Sequence, residues 1–289
     1  MRNDIIFIPV GTVAAHGALP LDVETTFAEG LALCMAKQCD GLVFGRLPFF
    51  YAGAAMTGRG TVQMSIRTGA NYLKQLSDSL FNQGFRRQIY VTTAETGFMT
   101  IGNVVLDVFD DIKCPVAFMN LEQLIDVANK NNPEVSLTKD RKDLHTMACG
   151  AYRILNREHE LVLFKEQWDV CPTQGLHQGD YNILLQGGKK VGNVGFYYED
   201  AQDHYGYMKG GVSDEEWKAR LDCGKHMIEK LVDALDLERY LRSLHNLDTI
   251  TNTLIRSRYA GNLPKNKFGE WKERKDNDKT RAAEQIKCK

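Results

Sequence analysis

The feature that most constrains the fold is a regular alternation of short apolar runs with longer amphipathic segments. The apolar runs predict strands at 4–11, 41–49, 87–95 and 115–120. The amphipathic segments predict helices at 22–37, 65–85, 98–111, 121–130, 145–157 and 214–235. Strands that alternate with helices are typical of βαβ units, in which helices cover both faces of a mainly parallel sheet. The pattern therefore predicts an α/β fold.

Two of these helices carry clear end signals. The apolar residues of segment 65–85 fall on one helical face, and Gly84 follows as a favourable C-terminal cap. That face consists of Ala70, Leu73, Leu76, Leu80 and Phe81. Ser213 precedes three acidic residues and predicts a helix start at residue 214. Residues 158–213 are rich in glycine and aromatic residues and predict only one further strand, at 190–198.

The composition argues against several classes of protein. The 36 Lys and Arg residues nearly balance 37 Asp and Glu residues, so no overall field attracts nucleic acid or an anionic membrane. No apolar run approaches the roughly 20 residues of a membrane helix, and the N-terminus lacks a signal-peptide pattern. The seven cysteines lack the paired spacing of a zinc ribbon or a disulfide framework. We expect a cytosolic protein whose cysteines are mostly buried thiols.

The chain changes character near its C-terminal end. The last 29 residues, from Gly261, contain nine Lys or Arg and five Asp or Glu, with few apolar residues. We therefore predict one α/β domain over residues 1–260 and a charged, solvated tail over 261–289. Phe268 and Trp271 support the alternative that this tail is an intersubunit arm.

Polar residues that could carry chemistry follow several of the predicted strands. In an open parallel sheet, ligands bind at the carboxyl ends of the strands, where the connecting loops meet. The loop after the first strand supplies His16, Asp22 and Glu24, and the loop after the third supplies Thr92, Thr93, Glu95 and Thr96. The helix near residue 145 would add His145, Cys149 and Tyr152 if its N-terminus points to the same edge.

Each of these side chains also has an explanation without a function. His16 could bond to backbone in a tight loop, and Glu24 could favour the positive end of a helix dipole. His145 could be a surface residue near a helix start. Cys149 could be an inert buried thiol, although it lies one helical turn from His145.

Four segments resemble the creatininase (creatinine amidohydrolase) family. The stretch "VGTVAAHGALPLDVET" is similar to its first signature, approximately G-S-x-E-Q-H-G-x-H-L-P-L-x-x-D. The stretch "GRGTVQMS…LSDSLFNQGFRRQIYV" resembles G-T-I-S-L…GFRRIVIV, and "TTAETG" falls where the family has N-G-H-G-G-N. The stretch "DLHTMACGAYRIL…HELV" is similar to H-A-G-x-x-E-T-S-x-M-L…PELV. All four occur in the family's order within residues 4–162.

The resemblance implies a fold and a chemistry. It implies a three-layer α/β/α sandwich with a mainly parallel sheet, often assembled as a hexamer. It also implies a two-metal centre that hydrolyses C–N bonds in small, often cyclic amides. Two divalent ions bridged by water generate hydroxide near neutral pH and polarise the carbonyl group, and carboxylates and imidazoles must hold them.

Matched residue by residue, most of the metal ligands are missing. The glutamate of the first signature falls on Ala14, and the histidine of N-G-H-G-G-N falls on Ala94. The first-signature histidine is kept as His16, and the bridging aspartate becomes Glu24 after a one-residue deletion. The acids of the last signature fall on Leu144, Ala148 and Gly150. Its histidine, the proposed proton-transfer residue of the family, survives as His145.

Two protein ligands are too few for a tight divalent site, because catalytic zinc usually has three. We therefore predict a degenerate site without a metal or other cofactor. The alternative is a single zinc or manganese ion held by His16 and Glu24, with Glu95 or Asp143 as relocated ligands.

The residues and the resemblance together predict an enzyme that acts on a small polar amide, lactam or related nitrogenous metabolite. The reaction would be C–N hydrolysis, ring opening or elimination. His16, Glu24 and His145 would be catalytic, and Thr93, Glu95, Cys149 and Tyr152 would bind substrate. The expected partners are a small molecule and further copies of the chain in a homo-oligomer, for which the resemblance implies a hexamer, with neither nucleic acid nor membrane. The alternatives are a non-catalytic homologue that binds a metabolite or stabilises a partner, and a metal hydrolase with relocated ligands.

Overall fold

The computed structural model describes residues 4–14, 16, 19–47, 60–94, 97–161 and 213–255. Four parallel strands form one sheet in the order β2-β1-β3-β4. Their bounds are β1 Ile5–Pro9, β2 Leu42–Val43, β3 Arg87–Thr92 and β4 Ala117–Asn120. The predicted α/β fold with a parallel sheet is confirmed.

Helices connect and follow the strands. They are α1 Val23–Cys39, α2 Ile66–Asn82, α3 Gly97–Ile112, α4 Leu121–Asn131, α5 Arg141–Ile154, α6 Asp214–Asp233 and α7 Leu237–Ile250. A short 3-10 turn, Glu158–Glu160, follows α5, and a π-helical turn, Thr251–Ile255, follows α7. No helix among the described residues has the length and apolar character needed to cross a lipid bilayer.

Alternation along the strands produces two separate apolar cores. Ile5 and Phe7 of β1 point to one face of the sheet, while Ile6 and Ile8 point to the other. The first face packs against α1, α4, α5, α6 and α7, and the second packs against α2 and α3. The sheet is therefore the middle layer of the predicted α/β/α sandwich.

The predicted helix ends agree closely with the structure at two places. Gly84 follows α2 with φ of 96°, a left-handed conformation that favours glycine. The predicted apolar face of α2 packs into the second core. The hydroxyl of Ser213 accepts a hydrogen bond from the Glu216 amide and caps α6.

Two elements differ from the sequence prediction. The strand expected at 41–49 has only two residues, because β2 is an edge strand in which Leu42 is half exposed. Helix α7 was not predicted. It begins at Asp236, whose left-handed backbone turns the chain and whose carboxylate caps the Arg239 amide. The predicted strand at 190–198 and the tail from residue 261 lie outside the described residues.

Helices α5 and α6 cross at a pair of glycines. A Cβ atom on Gly224 would lie 1.8 Å from the carbonyl oxygen of Thr146, and one on Gly150 would lie 2.0 Å from the carbonyl carbon of Gly224. Only hydrogen atoms fit at this crossing. The contact brings α6 onto α5 and α5 onto α1, whose Gly30 faces Ala151.

Candidate functional site

The loop after β1 is held against the start of α1. A Cβ atom on Gly11 would lie 2.3 Å from Cα of Thr25, so the loop can approach the helix only with glycine at this position. The Thr25 hydroxyl donates to the carbonyl of Thr12, 3.0 Å away. Further along, the Ala14 amide donates to the carbonyl of Leu21, 2.9 Å away. The loop therefore folds back on itself and presents His16 close to the first turn of α1.

Glu24 is fixed on both its main chain and its side chain. The Thr93 hydroxyl, just after β3, donates to the Glu24 carbonyl oxygen at 2.9 Å. The Thr12 hydroxyl donates to Oε2 of the Glu24 carboxylate. The other carboxylate oxygen, Oε1, lies 3.4 Å from Nε2 of His16. Two strand-end loops and the start of α1 thus meet at one residue, Glu24.

The two ring nitrogens of His16 both face acceptor oxygens. Nδ1 lies 2.9 Å from the carbonyl oxygen of Ala14, and a carbonyl only accepts, so Nδ1 carries a proton. Nε2 faces the Glu24 carboxylate. Burial lowers the pKa of His16, but the hydrogen bond and charge of Glu24 and the bond to Ala14 outweigh it, so the pKa lies above its ordinary value of 6.5. The Glu24 carboxylate and the Ala14 carbonyl thus favour the protonated form of this ring more than water favours that of an isolated histidine.

The structure brings together three of the predicted site residues, His16, Glu24 and Thr93. His145 lies half-buried in the first half of α5. Glu95 and Thr96 lie outside the described residues. The predicted catalytic role of His145 therefore rests on its match to the family signature.

Cys149 and Tyr152 were predicted to bind substrate, but both side chains are fully buried in the first core. Burial raises the pKa of the Cys149 thiol to about 12, so this cysteine is a neutral core residue. Burial also raises the pKa of Tyr152. The structure thus places both side chains in the core, and their role in substrate binding stays a prediction that we do not carry into the proposed site.

The described residues do not fit the two-metal centre of the family. Ala14 and Ala94, at two ligand positions, are only 2% and 3% exposed, and their methyl groups cannot bind a metal ion. Among the described ligand positions of the first signature and of N-G-H-G-G-N, only His16 and Glu24 keep a donor, and these two side chains contact each other. Within the described parts of the chain, no three His, Cys, Asp or Glu residues are grouped so that they could hold an ion.

Asp143, one of the predicted relocated ligands, has a different role. Its carboxylate accepts hydrogen bonds from the amide and hydroxyl of Thr138, at 3.1 and 2.7 Å, at the start of α5. The other predicted replacement, Glu95, lies outside the described residues. Among the residues that the structure describes, the candidate donors are therefore His16 and Glu24, which contact each other.

Sequence reasoning missed two residues that shape the site. Thr12 binds the Glu24 carboxylate, and its place beside Gly11 in the first signature was the available signal. Asn120 ends β4 and donates to the Ala94 carbonyl at 3.3 Å, which ties β4 to the loop after β3. Nothing in the local sequence distinguishes Asn120 from an ordinary helix cap, a role that it also fills for α4.

Comparison with known proteins identifies the family. The family model described as creatinine amidohydrolase matches residues 1–236. A crystal structure of creatininase shares 16% identity and a TM-score of 0.56, over 82% of this chain and 91% of that one. A creatinine amidohydrolase homologue from Bacteroides fragilis shares 14% identity and a TM-score of 0.52, over 86% and 91%.

A manganese form of creatininase shares 16% identity and a TM-score of 0.54, over 81% of this chain and 90% of that one. No curated protein gives a significant sequence match. At such low identity the solved structures show a common fold, and the family model extends over most of the chain. The chain belongs to the creatininase family.

Proposed function

We propose that this chain is an enzyme that performs acid-base chemistry on a small polar amide, lactam or related nitrogenous metabolite, without a two-metal centre. The observation that carries the proposal is the contact of His16 with Glu24 at the strand-end cleft. A carboxylate beside an imidazole is a common arrangement for positioned proton transfer. Membership of an amidohydrolase family supports the substrate class.

The geometry supports a distinct role for each group. His16, protonated beside Glu24, would donate a proton or polarise a carbonyl oxygen of the substrate. Glu24 would maintain the charge of His16 and accept a substrate N–H through Oε1, because Thr12 occupies the other oxygen. His145 would move a second proton, a role that rests on its match to the family signature. Thr93 and Glu95 would complete the substrate pocket.

The donor set also favours particular reactions. Creatininase has a manganese form of known structure. At the described site of this chain, only two side chains, His16 and Glu24, could bind a metal ion. Without a Lewis acid, direct attack of water on an unactivated amide lacks its main electrophilic assistance. Ring opening of a strained lactam, elimination or isomerisation is therefore favoured over creatinine hydrolysis.

The test is an activity screen of cyclic amides and related metabolites, with and without a chelator. We expect turnover that survives chelation and falls at least tenfold, or about 1.4 kcal/mol of transition-state free energy, in His16→Gln, Glu24→Gln and His145→Ala. Glu215→Gln is the matched control, because Glu215 is an exposed carboxylate in the first turn of α6. Turnover that chelation abolishes, with stoichiometric zinc or manganese in fresh protein, would favour the relocated-ligand hydrolase.

A second candidate is a non-catalytic homologue that binds a metabolite or stabilises a partner. The buried methyl groups of Ala14 and Ala94 favour it, since they remove donor positions without opening space for others. This candidate predicts ligand binding by calorimetry with no turnover on any member of the panel. Turnover that falls when His16 or Glu24 is substituted would contradict this candidate.

We further propose that the chain acts in the cytosol as a homo-oligomer, a hexamer in the simplest family-like case, with residues 1–260 as its domain. The charged composition of residues 261–289 supports a solvated tail or an intersubunit arm. Light scattering on the full chain and on a chain ending at residue 260 tests both points. A smaller assembly after truncation supports the arm, and an unchanged assembly supports the tail.

A further inference from the structure

Two arginines from separate segments form ion pairs with the same two carboxylates on one face of α1. Arg46, just beyond β2, places Nη1 2.8 Å from Asp22 Oδ2 and Nε 3.4 Å from Glu29 Oε2. Arg157, just beyond α5, places Nη2 3.5 Å from Asp22 Oδ2 and Nη1 3.6 Å from Glu29 Oε2. Each guanidinium therefore contacts both carboxylates. We call these four side chains the arginine clamp.

The guanidinium group of Arg157 is itself held in place. Its Nε lies 2.6 Å from Glu160 Oε1, and Nη2 bonds the other oxygen of the same carboxylate. The guanidinium carbon lies 5.8 Å from the centre of the Tyr152 ring. Its Nη1 also donates to the Thr26 hydroxyl at 3.3 Å. A group fixed from this many sides loses little further freedom on binding α1.

Helix geometry places the clamp opposite the catalytic carboxylate. At 100° per residue, Asp22 and Glu29 project from nearly the same side of α1, two turns apart. Glu24 projects about 200° from Asp22, on the other side of the first turn. The clamp therefore fixes one side of this turn while Thr12 and His16 contact the carboxylate on the other.

The Asp22 side chain does not cap α1 and belongs to the clamp instead. It occupies the N-cap position of α1, yet its carboxylate makes no capping bond to the helix backbone. The carboxylate points instead to Arg46, Arg157 and the Thr26 hydroxyl. An N-cap side chain typically contributes about 1 kcal/mol, so without this bond the clamp joins the hydrogen bond from Thr93 to the Glu24 carbonyl in holding the first turn of α1.

We propose that Arg157, assisted by Arg46, is a positioning residue that holds the first turn of α1 so that the Glu24 carboxylate stays against His16. This inference rests on the proposed function only where it gives the contact a catalytic purpose. The clamp and the His16–Glu24 contact are linked through the first turn of α1, and that link does not depend on any substrate.

The test compares Arg157→Met, Arg157→Lys and Arg153→Met by NMR at fixed pH. Arg153 is the matched control, because its ion pairs are with Glu158 and Asp222 and not with the α1 carboxylates of the clamp. We expect Arg157→Met to move the His16 ring 15N and 13C resonances in the same direction as Glu24→Gln. We also expect it to increase amide exchange at residues 23–25. Arg153→Met should leave both unchanged.

Arg157→Lys separates position from charge. Lysine keeps the positive charge but cannot contact two carboxylates through separate nitrogens, so we expect only partial restoration of the His16 signals. If the methionine variant does not fold, Arg46→Met removes the other half of the clamp and should shift the same signals. The proposal is overturned if the His16 resonances respond to Glu24→Gln but stay at their wild-type positions in both clamp variants.

The readouts also separate this inference from the proposed function. Shifted His16 signals in a protein without turnover would support the clamp and count against the enzyme. Turnover with unshifted His16 signals in the clamp variants would support the enzyme and overturn the clamp.

Discussion

Oε1 of Glu24 lies 3.4 Å from Nε2 of His16, and Nδ1 of the same ring faces the Ala14 carbonyl. The ring is therefore placed between a charged and a neutral acceptor. The carboxylate favours the protonated form of the ring, and a metal ion would compete with that proton for Nε2. Under the proposed function, this contact is what would let His16 hold and pass a proton.

Replacing Glu24 with Gln should lower the pKa of His16. The substitution removes the carboxylate charge, which raises that pKa against the effect of burial. Titration of the His16 Cε1 proton by NMR measures the change, with Glu215→Gln as the control. An unaltered titration would mean that the contact does not exist in solution.

His16 should also make the stability of the protein depend on pH. Its folded pKa lies above the ordinary value of 6.5, so the folded state binds the proton more tightly than the unfolded state. This contribution is complete below the unfolded pKa and is lost as pH rises through the folded pKa. The difference in unfolding free energy between wild type and His16→Gln should therefore shrink as pH rises above 6.5.

Urea unfolding at pH values on both sides of the ordinary histidine pKa tests this dependence. The control variant Gly102→Ala changes no titratable group and should not reproduce it. A free-energy difference that stays constant, or grows with pH, would contradict the assignment of a raised pKa.

Replacing Thr12 with Val should destabilise the fold by about 1.5–3 kcal/mol, the usual range for a hydrogen bond to a charged group. The Thr12 side chain is buried, so its loss leaves a carboxylate oxygen without its partner. Thr12→Ser keeps the hydroxyl and should restore most of the loss. Chemical denaturation measures both variants, and a Val variant as stable as the wild type would contradict the contribution of this hydrogen bond.

Replacing Gly224 with Ala should cost about 3 kcal/mol, the upper end of the overpacking range, because the new Cβ would meet the Thr146 carbonyl at 1.8 Å. The obstacle is backbone, which cannot rotate away. Gly102→Ala on α3 is the control, since its Cβ would have no atom within 4 Å and alanine favours helix by up to about 1 kcal/mol. Thermal unfolding of the two variants should move in opposite directions.

The sequence predicted much of the fold because its signals were local. The alternation in β1, the face of α2 and the Ser213 cap each depend on neighbouring residues, and the structure agrees with them. The end of β2 was predicted poorly because edge pairing depends on a partner strand distant in sequence. Helix α7 was missed because its start depends on the left-handed backbone of Asp236.

The candidate site was predictable only in part. The first-signature match indicated His16 and Glu24, and the parallel sheet indicated that Thr93 would lie near them. The clamp could not be predicted, since Arg46 and Arg157 lie 111 positions apart and meet only through the packing of α1. The core positions of Cys149 and Tyr152 likewise depend on the way that α5 packs between its neighbours.

The buried alanines at positions 14 and 94 limit how a metal centre could be built into this chain. A glutamate introduced at position 14 would be buried in the loop that presents His16 to Glu24, and burial of an unpaired carboxylate is costly. Single substitutions at these positions should therefore destabilise the fold, and a new ligand set would require changes in the surrounding packing as well.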